Sequence, residues 1–255
     1  MKNPEAKVIT FSIFKGGTGK TTSAVNTAVA LAKNKRRVLL VDLDHQASAT
    51  RHLGIDPEPL SPNLYDVYVQ KVPITLVIKE TDFGFDLVPG HPLLAAVEMS
   101  LEDGDEHMLK EILAGVLPDY DYVLLDSPPG KAKMSISALI AASHVIIPLQ
   151  AQRPSLDGTH DIFRFIQDVV WKDYNKNLKI IGILPTMVRR IGSHSAGVIE
   201  QARELWGDKV LPLEVPETIL FPRSFDKGQP AIVYSPKHEA VKPYQSLAKL
   251  IYEKR

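Results

Sequence analysis

The stretch Lys7-Val8-Ile9-Thr10-Phe11-Ser12-Ile13-Phe14-Lys15-Gly16-Gly17-Thr18-Gly19-Lys20-Thr21-Thr22 decides the fold. Val8 to Ile13 is a short apolar run of β-branched and aromatic residues, as expected of a buried strand. The loop that follows is rich in glycine and ends in Gly19-Lys20-Thr21. From Ala24 to Lys33 the apolar residues recur at helical spacing. Strand, glycine loop and helix in that order make a phosphate cradle. Backbone N–H groups and a helix N-terminus converge on the anion, Lys20 reaches the β/γ-phosphates, and the Thr21 hydroxyl reaches Mg2+. A chance glycine-rich turn does not carry both phosphate-facing side chains between a strand and a helix.

Outward from this unit, further apolar runs occur at Val38 to Val41, Val123 to Leu125, Val145 to Leu149 and Ile180 to Leu184. Between them lie helix-period segments, including Met108 to Leu117, Ser155 to Tyr174 and Ser193 to Trp206. This alternation predicts an α/β fold: a doubly wound, mostly parallel sheet with helices on both faces, in one domain over residues 1–255. Asp56 to Pro62 is too rich in proline for a regular element and reads as a loop before a short helix at Leu64 to Gln70. A weak strand is read at Phe85 to Val88. Val241, Tyr244, Leu247, Ala248 and Ile251 give the closing segment, Glu239 to Glu253, a helical stripe.

The chain has 255 residues, 44% hydrophobic and 24% charged, enough for one large core. Its thirty basic residues balance thirty acidic ones, so binding to nucleic acid requires a local patch. The chain has no cysteine, which excludes disulfides, thiolate nucleophiles and cysteine-ligated iron–sulfur or zinc sites. Met1 to Ala6 is not a signal peptide and no apolar run reaches membrane-spanning length, so a cytoplasmic location is expected. The eight histidines show no zinc-type spacing, and neither Ser12 nor Ser127 sits in a nucleophile-elbow sequence. Trp171 and Trp206 lie on apolar helical faces and read as core.

Three carboxylates follow strands. The second strand runs into Val41-Asp42-Leu43-Asp44-His45-Gln46, where an open α/β sheet places its ligands. Asp126 follows Tyr122-Val123-Leu124-Leu125 and precedes Ser127-Pro128-Pro129-Gly130, the Walker B arrangement that holds Mg2+ directly or through water.

The loop departs from the ordinary G-x-x-x-x-G-K-[ST] pattern: Phe14 replaces the first glycine and Lys15 precedes Gly16-Gly17. In this it resembles the ParA/Soj/MinD family of deviant Walker ATPases. The resemblance extends over nearly the whole chain, through Val145 to Gln150, Ser155-Leu156-Asp157-Gly158 and Gly228 to Tyr234. It implies ATP and Mg2+ as cofactors, bound by Lys15, Gly16, Gly17, Thr18, Gly19, Lys20, Thr21 and Thr22. It implies that Lys15 reaches the nucleotide of a partner subunit, that Asp44 orients or deprotonates the attacking water, and that Thr21, Asp42 and Asp126 serve the metal. Pro216 and Thr218 inherit the adenine pocket, although Glu217 and Thr218 differ from the family's usual Pro-Arg-Asn.

The implied activity is a Mg2+-dependent ATPase that dimerises with ATP, binds non-specific DNA as a dimer and is released when a ParB-like or other partner stimulates hydrolysis. Nucleoid association follows from that. Leu220 stands where the family has a DNA-binding arginine; Arg189, Arg190, Arg223 and Lys227 are the alternative contacts. A MinD-like membrane switch is the second reading, opposed by the lack of an exposed apolar stripe after the closing helix. A P-loop metabolic ligase is the third. The absence of cysteine excludes iron–sulfur relatives.

Overall fold

In the computed structural model, which describes residues 6–152, 154–189 and 195–253, the strands are β1 (Lys7–Phe11), β2 (Val38–Asp42), β3 (Lys79–Glu80), β4 (Asp86–Val88), β5 (Tyr122–Asp126), β6 (His144–Gln150) and β7 (Lys179–Thr186). They form one sheet in the order β3-β4-β2-β5-β1-β6-β7. Every pairing is parallel except that of β3 with β4. The helices are α1 (Lys20–Lys33), α2 (Ser48–His52), α3 (Leu64–Val69), α4 (Leu94–Ser100), α5 (Met108–Ala114), α6 (Lys133–Ala141), α7 (Pro154–Phe165), α8 (Ser195–Trp206), α9 (Leu220–Asp226), α10 (Ala231–Tyr234) and α11 (Lys242–Glu253).

Strand alternation divides the core into two layers. Leu39, Val41, Val123, Leu125 and Val145 face one side, against Leu109, Leu113, Met134, Leu139 and Ile162 of the helices α5, α6 and α7. Ile9, Phe11, Leu40, Leu124 and Ile146 face the other, against Ala24, Val25, Ala28 and Leu31 of α1 and Tyr244, Leu247 and Ile251 of α11. Burial on both faces explains why β2 and β5 read as unbroken apolar runs rather than alternating ones. The fold is the doubly wound, mostly parallel sheet expected from the sequence.

Several boundaries differ from the periodicity. α1 begins at Lys20, ahead of its apolar stripe, because its first turn belongs to the phosphate loop. The expected helix over Ser155 to Tyr174 is α-helical only to Phe165 and continues as a π-helical stretch, Ile166–Tyr174. The closing segment starts with a 3-10 turn, Glu239–Val241, before α11. No helix among the described residues is long and apolar enough to cross a membrane.

Candidate functional site

The C-terminal ends of β1, β2 and β5 lie side by side, with Phe11 opposite Asp126 and Asp126 opposite Asp42. The loop after β1 turns through Gly17 at φ 70° and Gly19 at φ 82°, a left-handed conformation that other residues rarely adopt. Gly19 is the N-cap of α1 and supplies no side-chain cap. The leading N–H groups of α1 therefore have no capping side chain, and they stand where an anion would accept from them. The Thr18 carbonyl accepts from the Thr186 hydroxyl at 2.8 Å, which ties the loop to the end of β7.

Lys20 is only 7% exposed, and its Nζ donates to the Lys15 carbonyl at 3.2 Å, so it curls over its own loop. Burial lowers its pKa, against the opposing charges of Asp126 and Asp44. The Lys15 Nζ turns the other way and donates to the buried Ser155 hydroxyl of α7 at 3.2 Å.

The carboxylates occupy three environments. Asp42 is fully buried: one oxygen accepts from the Asp44 N–H at 3.2 Å, the other from the Thr50 N–H at 2.9 Å and hydroxyl at 2.8 Å. Those bonds fold the segment after β2, and burial pushes the Asp42 carboxyl up to about 6. Asp44 Oδ1 accepts from the Gln46 N–H at 2.9 Å, and the residue lines the same cavity as Lys20. Both oxygens of Asp126 are buried without a hydrogen-bond partner. Burial, then the Asp42 charge, raise its pKa well above the usual carboxylate range, while the Thr21 hydroxyl and Lys20 favour the ionised form. An unpartnered buried carboxylate beside a threonine hydroxyl suits a hydrated divalent cation, for which Thr21 and Asp126 supply hard oxygen donors. Asp42 has both oxygens engaged within the chain and stands behind them.

Asp126 therefore weakens the nucleotide-free fold whenever it is ionised. A carboxyl whose folded pKa is raised contributes stability at low pH that is lost as pH rises through that folded pKa. Asp126→Asn is expected to raise the melting temperature of the nucleotide-free protein at pH 8, by about 2–4 °C for each kcal/mol relieved. The gain over the wild type shrinks as pH falls; thermal melts of both proteins from pH 5 to pH 8 check this.

Gly90 lies behind the same cluster. A Cβ there would stand 2.7 Å from Asp42 Cγ and 2.9 Å from the Asp44 carbonyl, both held by hydrogen bonds. Gly90→Ala is expected to cost about 1–3 kcal/mol in urea unfolding and, by moving the Asp44 segment, to lower ATP turnover.

The loop lines a cavity of about 310 Å³, from Gly16 to Thr22 with Asp44, Ser48 and His52 on its walls. A neighbouring pocket of about 470 Å³ shares Gly19, Thr22 and Met187 with it and is closed by Pro216, Thr218, Phe221 and Tyr244. The first, ringed by N–H groups and Lys20, matches phosphates; the second, mostly apolar, matches a planar base. Thr186, Met187 and Phe225 were not singled out by the sequence, Ser155 was read only within the family-like stretch, and His52 only among the histidines without zinc-type spacing. His52 is 1% exposed and its ring centroid lies 5.2 Å from that of Phe225. Burial holds its imidazole down to about 4, in the neutral form. Nothing in its spacing marks it, because its place comes from α2 meeting α9.

The surface contacts anticipated for DNA are not gathered in one way. Arg223 and Lys227 are exposed on α9 and just beyond it. Arg189 is paired with Glu217. Leu220 is buried, so its side chain belongs to the core. Arg190 lies outside the described residues.

A family model described as an AAA domain matches residues 6–180. The Bacillus subtilis sporulation initiation inhibitor protein Soj is 34% identical over 246 residues, covering 95% of this chain and 97% of that protein. The chromosome partitioning protein ParA of Myxococcus xanthus is 33% identical over 246 residues, covering 95% and 87%. The chain belongs to the ParA/MinD family of P-loop ATPases. This ParA/MinD-family chain also matches the septum site-determining protein MinD of Pyrococcus horikoshii complexed with Mg-ADP, at TM-score 0.79 and 25% identity over 96% of each chain. A further match is the cobyrinic acid a,c-diamide synthase of Mycobacterium smegmatis with bound ADP and magnesium, at TM-score 0.83 and 31% identity over 96% of this chain and 93% of that one.

Proposed function

We propose that this chain, acting as one domain over residues 1–255, binds ATP with Mg2+, closes into a homodimer around the nucleotide, and hydrolyses it so as to position or partition DNA or another cargo. The observation that supports this most is the convergence of Lys20 and Asp44 on one cavity, with the Lys15 carbonyl accepting from Lys20 and the Asp126 charge acting on it. Lys20 exchanges the Lys15 carbonyl for the β/γ-phosphates, and the N–H groups of Gly16 to Thr22 surround them. Pro216 and Thr218 border the adenine. Thr21 and Asp126 hold Mg2+, which when bound neutralises charge on the phosphate oxygens. Asp42 fixes the segment that carries Asp44, and Asp44 orients or deprotonates the water.

Lys15 leaves Ser155 and reaches across the dimer to the partner's nucleotide, stabilising charge that develops on the transferred phosphoryl group. Hydrolysis is thereby tied to dimerisation. ATP shifts the population only in so far as it binds the dimer-competent state more tightly than the alternative. The dimer engages the phosphates of DNA without reading sequence, in the cytoplasm and at the nucleoid, and a ParB-like partner stimulates its release. Arg223 and Lys227, at the end of α9, are the exposed cations offered for that contact, together with Arg189 and Arg190.

The test is binding of Asp44→Ala to random-sequence duplex DNA with ATP, ADP or no nucleotide across a salt series. ATP-dependent binding that weakens steeply with salt is expected, since neutralised phosphates release counterions. Salt-insensitive binding, or none with ATP, contradicts the DNA surface.

The match to a diamide synthase favours a second reading, in which ATP activates a small-molecule acid for amide formation. ATP turnover by the purified chain without any acid substrate separates the two. A membrane-surface switch has less support, because the apolar face of α11 is spent on α1 and the sheet.

A further inference from the structure

Among the described residues, Arg189 differs from Arg223 and Lys227 in having its side chain engaged within the chain. Its Nε and Nη2 both donate to the Glu217 carboxylate, Nη2 to Oε1 at 3.0 Å. The backbone places the two residues: Val188 bridges Pro216 in parallel, and the Glu217 N–H donates to the Val188 carbonyl at 3.0 Å. The hydrogen bond from Arg189 holds the Glu217 carboxyl below its usual range, and the same bond raises the guanidinium. Yet the side chains are 59% and 42% exposed, in solvent where an ion pair is weak and another anion can compete. A guanidinium pairs its N–H donors two at a time with a carboxylate or a phosphate, and here Glu217 fills the Nε/Nη2 edge and offsets the charge.

We propose that Glu217 is an intramolecular competitor for the phosphate contact of Arg189, so that the chain masks one arginine of its own DNA-facing surface. This rests on the DNA reading given above. The partner is the sugar–phosphate backbone of duplex DNA, and the mask is read as one missing phosphate contact. It also accounts for a patch that looks stronger in sequence than in structure: one of its arginines is neutralised at close range by a carboxylate distant in the chain.

The experiment uses the full chain in the Asp44→Ala background at saturating ATP, with saturation checked by bound nucleotide because Glu217 also lines the base pocket. Affinity for random-sequence duplex DNA is measured over a salt series for that parent and for the parent carrying Glu217→Gln, Arg189→Gln or both. Glu217→Gln is expected to tighten binding about two- to fivefold, the range an exposed ion pair carries. The slope of log affinity against log salt should steepen by about 0.9, one added phosphate contact. Neither gain should appear once Arg189→Gln is also present. An unchanged affinity and slope in Glu217→Gln, with the parent binding DNA, overturns the mask alone; so does an equal gain in the double variant, which marks a general charge effect. No binding by any of the four removes the DNA surface and the mask together.

Discussion

Lys20→Ala is expected to weaken ATP binding by about ten- to a hundredfold in titration calorimetry, the size of effect when a charge-assisted contact is removed from a buried site. Lys20 is 7% exposed and shares its cavity with Asp44, so few other cations are placed to replace it. Its Nζ already sits on the Lys15 carbonyl at the loop, and burial has lowered its proton affinity, which a bound polyanion would raise again. Lys20→Arg is the informative companion. Its charge is kept but its fork is wider, and the site surrounds the lysine closely, so only partial recovery is expected. Full affinity in Lys20→Ala would mean that the nucleotide lies elsewhere.

Lys15→Ala is expected to give the opposite pattern: ATP affinity within a few-fold of the wild type, and turnover lower by about 10³- to 10⁵-fold, as for an arginine finger. Lys15 Nζ is held by Ser155 on α7, while Lys20 takes only the Lys15 backbone carbonyl, which alanine retains. The chain's own nucleotide thus has little to lose in binding. The loss falls on charge that appears during phosphoryl transfer, and hence on kcat rather than on ground-state binding. Steady-state turnover and titration calorimetry on the same preparation check both halves. Unchanged turnover would leave Lys15 as a loop lysine.

The parts legible in the sequence are those whose signal is local. The strand–loop–helix at Val8 to Lys33 carries its own periodicity and its own glycines, and Asp42 and Asp126 were each read at a strand end, although only the register sets them opposite one another. The base pocket was reached only through resemblance, at Pro216 and Thr218. Its other walls, Met187 and Phe221, come from distant segments that meet because Val188 pairs with Pro216. α4 and α6 were missed for another reason. α6 is buried nearly all round, and its small polar residues Ser135 and Ser137 are buried with Met134, Ala138 and Leu139, so it shows no charged face from which a helical period could be read. α4 is a two-turn element after a proline-rich break, too short for its pattern to stand out. The ion pair of Arg189 with Glu217 had no sequence signal, since 28 residues separate its members.

ATP is expected to convert this chain into a dimer. The most direct test is the mass in solution of the wild type and of Asp44→Ala, by light scattering after size exclusion, with ATP and Mg2+, with ADP and Mg2+, and with no nucleotide. A mass near twice 28.2 kDa for Asp44→Ala with ATP alone, and a monomer with ADP, is the predicted result. A monomer under every condition, with bound ATP verified, would contradict the switch.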